Sequence, residues 1–199
     1  MTKCRFRFLP TLLDLARDKK GLAAIEFAMV LPVMFFLFFG ATELYTHFSA
    51  RDRVDIAAST LVDLAGWSEQ LAQDDIEGIF TGVSNIIQPI DVDKLEMRLI
   101  SVIPNNQGSP VVHWSFSSEA TASQPYAPNS AFDLENSDLL IPGASVLVSE
   151  VEYIHESGIT GRILHTSQAY TETRVRLPRL SPRVAFCEKD NQGVYENCI

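Results

Sequence analysis

The sequence predicts an α+β protein: one membrane-spanning helix near the N-terminus, a helical stem continuing from it, and a small, mostly antiparallel four-stranded sheet domain. Three observations predict it. Leu22 to Ala41 form an apolar run interrupted only by Glu26, behind a basic head. Between Ser49 and Ile87 apolar residues recur at helical spacing, and from Asp93 the repeat changes to two. On this reading residues 1–21 are a basic cytoplasmic leader, 22–48 the transmembrane helix, 49–90 the stem and 91–199 an extracytoplasmic β domain.

The leader carries Lys3, Arg5, Arg7, Arg17, Lys19 and Lys20 against Asp14 and Asp18, a balance of +4 in a chain of net charge −9. The remainder is therefore at −13, and a body so acidic repels nucleic-acid phosphates, which argues against DNA or RNA as a partner. A helix of the twenty residues from Leu22 to Ala41 rises about 30 Å, the thickness of a bilayer core. A cleaved secretory signal has a shorter apolar region and a small-residue cleavage site after it. Here the run is followed by TELYTHFSARDRV, without such a site. The excess of Lys and Arg before the run places the N-terminus in the cytoplasm and the C-terminus outside.

Two residues in the run are unusual for a plain anchor. Pro32 removes one helical hydrogen bond and predicts a kink. Glu26 is a carboxylate inside an apolar stretch, where it costs a few kcal/mol and marks a functional position. The plainer alternative is an interfacial side chain that reaches back to water.

Beyond the membrane, Val54, Ala57, Ala58, Leu61, Val62 and Ala65 make one helical stripe, with Arg51, Asp52, Arg53 and Asp55 at its outer-interface end and Gly66 as its stop. A second helix is expected with Asp74 or Asp75 as cap, Ile76, Ile79, Phe80, Val83 and Ile87 as its core face and Pro89 as its end. Leu95 to Leu99 alternate and continue to Ile103 as a strand. Pro104 to Pro110 have turn composition, and Val111 to Phe116 return. Ser117 to Pro142 are rich in Ser, Pro, Ala and Asn and predict a surface loop with little structure of its own. Ala144–His155 and His165–Leu177 are two further strands about a turn at Ser157–Gly161.

Of three cysteines, Cys4 lies in the leader, where a cytoplasmic thiol has no oxidised partner. Cys187 and Cys198 would face an oxidising compartment and can close a small loop by a disulfide. Two free thiols are the alternative.

No catalytic pattern emerges. The histidines His47, His113, His155 and His165 have no zinc-ligand spacing, and there is no H-E-x-x-H, C-x-x-C, G-x-S-x-G, P-loop or G-x-G-x-x-G. Strand alternation sets Glu150 and Glu152 on the face opposite His155, and Glu156 falls at the turn. No enzyme, cofactor or metal is implied.

The stretch Lys19-Lys20-Gly21-Leu22-Ala23-Ala24-Ile25-Glu26-Phe27-Ala28 resembles the processing site of type IV prepilins. More narrowly, GLAAIEFAMVLPVMFFLFFGATEL resembles the opening of TadE-like proteins, pseudopilins of the tight-adherence (Flp) pilus. Gly21, Glu26, Phe27, Ala28 and Pro32 match that family's G-x-x-x-x-E-F-A-x-x-x-P pattern. A looser likeness covers SVLVSEVEYIHES and QAYTETRVRLPR, as the paired strands that end such proteins. The resemblance implies a pilin-like fold and peptidase cleavage between Gly21 and Leu22, which makes Glu26 the fifth residue of the mature chain. It implies a minor pilin or pseudopilin of the bacterial inner membrane, its C-terminal domain periplasmic. The implied partners are a prepilin peptidase, other pilin-like subunits and the inner-membrane assembly platform. The competing reading is a signal-anchored periplasmic binding or adhesion protein unrelated to pili.

Overall fold

A computed structural model of the chain describes residues 21–118, 125–134, 136–156, 158 and 167–199. The expectations for the leader and Cys4, for part of the Ser117–Pro142 loop, for most of the Ser157–Gly161 turn and for His165 lie outside them. The chain divides into two units, one ending at Tyr45 and one comprising Thr46–Ile199. Helix α1 runs from Leu22 to Gly66 with Pro32 inside it.

In the second unit the remaining part of α1 buries the expected stripe completely, from Val54 through Ala65. Three of those residues are alanines, so the helix backbone comes close to the sheet: Ser149 Oγ donates to the Ala58 carbonyl at 2.7 Å. A short strand β1 (Gln70–Leu71) leads into α2 (Gln73–Ile86), whose Ile76, Phe80 and Val83 are buried. The cap of α2 differs from expectation. Asp74 and Asp75 lie in its first turn rather than before it, and the Asp75 carboxylate reaches back to the Ala72 N–H at 3.0 Å. The carboxylate thus satisfies an orphan donor from within the helix, where the dipole also favours it. At the other end, Arg53 donates to the Ile87 carbonyl at 2.9 Å and also to that of Gln88, and so closes α2.

The main sheet comprises β2 (Leu95–Pro104), β3 (Pro110–Ser117), β4 (Val146–Glu156) and β5 (Ser167–Arg176), antiparallel throughout in the order β3-β2-β4-β5. The β2–β3 turn is closed by Asn105, whose side chain accepts from Gln107 and Ser109 N–H, with Gly108 at φ 82°. A register shift at Ser101/Val102 leaves His113 as the extra residue of a bulge. Burial there, and Arg183 nearby, lower the His113 pKa. Glu156 belongs to β4, opposite Ser167, not to the turn.

Both faces of this sheet are covered. On one, Leu95, Met97, Leu99, Trp114, Leu147, Val151 and Tyr153 pack with α1 and α2. On the other, Ile100, Val102, Val112, Val146 and Val148 pack with Leu134, Tyr126, Phe132, Leu139 and Leu140. The described part of the segment expected to be a bare loop is therefore a second cover, bridged to β3 at Val111–Ala131 and turning through a 3-10 helix at Ser137–Leu139. Its apolar residues lack any period, which is why alternation could not reveal it. The apolar runs Leu99–Ile103 and Val146–Val148 do carry the complementary signal, because strands buried on both faces lose alternation.

The chain then returns past α1. β6 (Ala185–Phe186) pairs parallel with β1, and Trp114 Nε1 donates to the Val184 carbonyl at 3.1 Å. A last hairpin, β7 (Glu188–Lys189) with β8 (Tyr195–Glu196), ends the chain.

Candidate functional site

The first unit carries the residues singled out from sequence. Gly21 immediately precedes α1, Leu22 is its first residue, and Glu26 and Pro32 follow in its first three turns. Pro32 has no N–H to give the Ala28 carbonyl, by covalent necessity. The most apolar 18 residues of α1 have a mean hydropathy of 2.4 and none is buried, so the helix is long and apolar enough to cross a membrane. Fifteen large apolar side chains between Leu22 and Tyr45 stand exposed, Phe36 at 81%. At about 1.5–3 kcal/mol for each such side chain, leaving them in water costs tens of kcal/mol. They require lipid or other protein segments around them. Glu26 is exposed on the same helix, so whatever covers its apolar neighbours determines what the carboxylate meets.

The second unit contains an arrangement that sequence reasoning missed. Four side chains of α1 meet four alternate side chains of β5. His47 Nδ1 lies 2.7 Å from Tyr170 Oη, Arg51 3.7 Å from Glu172, Asp55 pairs with Arg174, and Asp63 lies 3.6 Å from Arg176. Arg179 adds a second contact to Asp63 at 3.0 Å. Over the first three pairs the steps match, four helical residues rising about 6 Å and two strand residues about 6.6 Å, while the Asp63 pair lies eight helical residues further on and is reached by the long Arg176 side chain. Each exposed pair is worth little alone, but together they fix the register of the helix on the edge strand. At one end of this ladder the His155 ring lies 4.9 Å from that of His47. The sequence offered no signal for these meetings, since His47 and Tyr170 are 123 positions apart.

In the tail, Cys187 and Cys198 are joined by a disulfide across a separation of 11 residues. The enclosed hairpin is tied to α2 through Lys189, which contacts Asp74 at 3.0 Å and Asp75 at 2.5 Å, and through Tyr195, whose hydroxyl donates to Asp75 at 2.9 Å. Burial pushes the Asp75 pKa up, but the bonds from Lys189, the Ala72 N–H and Tyr195 outweigh it and hold the carboxyl below its ordinary value. The hydrogen bonds to Asp75 and Asp74 raise Lys189 above its ordinary range. A lowered carboxylate stabilises above its unfolded pKa and is lost as pH falls through the folded one; a raised amine stabilises until pH climbs through its folded value. The contact therefore holds across neutral pH and fails at both extremes.

Closing a loop of this length stabilises the tail by about 3 kcal/mol in the chain-entropy account. Cys198→Ser is accordingly expected to remove hydrogen-exchange protection from the Phe186 and Ile199 amides, which bond each other's carbonyls at 3.2 and 2.9 Å. Unchanged protection at both would show that the disulfide contributes nothing to holding the tail.

Among the described residues no group of three or more His, Cys, Asp or Glu is placed to hold a metal ion. Residues 21–62 match the model of a family described as TadE-like protein. The match starts at Gly21, covers the apolar helix and its first buried turns, and stops before the sheet. Searches of curated proteins and of solved structures find no match to the chain.

Proposed function

We propose, from the TadE-like segment at residues 21–62, that this chain is a minor pilin or pseudopilin, a non-enzymatic subunit of a bacterial tight-adherence (Flp) type IV pilus assembly. One observation carries the reading: Gly21 stands directly before the first helical residue, Leu22, and Glu26 is the fifth residue of a helix whose most apolar 18 residues are covered by none of the described residues. A prepilin peptidase would cut between Gly21 and Leu22. α1 would first hold the subunit in the inner membrane, N-terminus inside and folded unit in the periplasm, and would later pack among pilin-like neighbours at the assembly platform. A buried carboxylate is costly when isolated and tolerable beside an amine. Cleavage creates such an amine at Leu22 of every subunit. An oxidising periplasm suits the Cys187–Cys198 disulfide.

N-terminal sequencing of protein recovered from membranes of a host that contains the peptidase is expected to read LAAIEF. A chain that still begins at Met1 in that host would sink the pilin reading while leaving the membrane anchor intact.

A further inference from the structure

We propose that residues 174–183 form a basic ridge, backed by an apolar groove, that docks on the disulfide-closed tail hairpin of a second copy of this chain. Residues 46–199 carry ten Lys and Arg against twenty-one Asp and Glu. Four of those ten cations fall within the single stretch RVRLPRLSPR, which contains no acid. This stretch leaves β5 and wraps the C-terminal end of α1. The Arg179 N–H donates to the Gly66 carbonyl at 2.9 Å, and its guanidinium lies 5.0 Å from the centre of the Trp67 ring. Arg176 and Arg179 share one carboxylate, Asp63, so a positive surplus is left over. The ridge is also apolar. Trp67, Ile141, Leu177 and Leu180 are all exposed, and Ile141, Pro142, Leu177, Pro178 and Pro182 line an open groove of about 450 Å³. An exposed Trp beside Arg is the pairing that most often anchors a protein–protein contact.

Charge and shape together select the occupant. A simple polyanion would engage the arginines but leave Trp67, the leucines and the groove in water, so the partner carries apolar side chains among its acids. A second copy does. Outside the ridge its folded unit holds six cations against the same twenty-one acids. Ridge on ridge would set arginines against arginines, so the contact joins unlike patches. In the tail hairpin, Glu188 and Glu196 lie directly opposite each other across β7 and β8, a like-charge pair that costs stability until a cation meets it. Alternation sends Lys189 and Tyr195 toward α2, where both reach Asp75, and sends Glu188 and Glu196 the other way. Val194, two residues before Glu196, is exposed beside them. The disulfide, and the Asp190 side chain that accepts from the Gln192 and Val194 N–H groups at 2.8 Å, pre-form the hairpin, so docking orders little that is loose. The contact involves the folded unit alone and does not rest on the pilin reading.

The test is thiol crosslinking between two copies of the full chain in detergent micelles, both in a Cys4→Ser background. One copy carries Leu180→Cys in the ridge and the other Val194→Cys in the hairpin. A short reagent reactive toward thiols at both ends is expected to join them several-fold more than it joins Leu180→Cys to Asp138→Cys, an exposed acidic position outside the hairpin. The yield is expected to fall several-fold between about 0.1 M and about 1 M salt, as the screening length shrinks from about 10 Å to about 3 Å. Glu188→Lys with Glu196→Lys in the Val194→Cys copy changes two exposed side chains and is expected to remove the dimer as salt does. An equal yield with Asp138→Cys, an equal yield at both salt concentrations, or an undiminished dimer after the double charge reversal would each overturn the contact. The absence of any mixed dimer would also overturn it and leave the ridge to another anionic occupant.

Discussion

Leu61→Ala is expected to destabilise the folded unit by about 2–5 kcal/mol, whereas Leu64→Ala, three positions along the same helix, is expected to cost under about 1 kcal/mol. Leu61 is fully buried between α1 and the sheet, while Leu64 is 41% exposed at the margin of that buried face. Removing the Leu61 side chain opens a cavity that its neighbours fill poorly, because the alanines around it already let the helix backbone lie against β4. The contact of Ser149 with the Ala58 carbonyl fixes that distance. The two leucines have the same composition and helix propensity, so their difference isolates burial. Denaturant unfolding of the micelle-embedded chain reads it directly. Equal effects from both substitutions would mean that the stripe does not pack as described.

That stripe was legible in the sequence, and so was the period-two segment at Leu95–Leu99, because both patterns are local. The main-sheet strands fall where alternation and turn residues place them, with ends displaced by a residue or two. What could not be read is what depends on distant pairing. Gln70 joins Ala185 in a parallel pair that no local pattern announces. Tyr126, Phe132 and Leu134 cover a sheet face from within a Ser- and Pro-rich stretch, and only the lost alternation of β2 and β4 hints that something must. Screening histidines by spacing along the chain looks for neighbours in sequence, so it passed over a cluster built from α1, β4 and β5. The N-terminal motif is the reverse case. Gly21, Glu26 and Pro32 lie within eleven positions of one another, and helical geometry alone relates them.

Glu26→Ala is expected to be processed and membrane-inserted normally, yet to abolish pilus-dependent surface attachment. The carboxylate lies in the apolar part of α1, and removing a charge from such a span makes insertion easier by up to a few kcal/mol. An anchoring defect is therefore the wrong sign for this substitution. If Glu26 meets the Leu22 amine of a neighbouring subunit, the loss is confined to association, where removing one partner leaves a buried, uncompensated charge that costs about 3–5 kcal/mol. Glu26→Asp keeps the charge with a reach shorter by one methylene and is expected to fall between the two. The decisive measurement pairs membrane fractionation with a surface-attachment assay on one strain that expresses Glu26→Ala as its only copy. The pilin account predicts wild-type amounts of processed protein in the membrane together with loss of attachment. Attachment at the wild-type level, with the variant equally abundant, would contradict it and leave Glu26 as an interfacial side chain turned toward water.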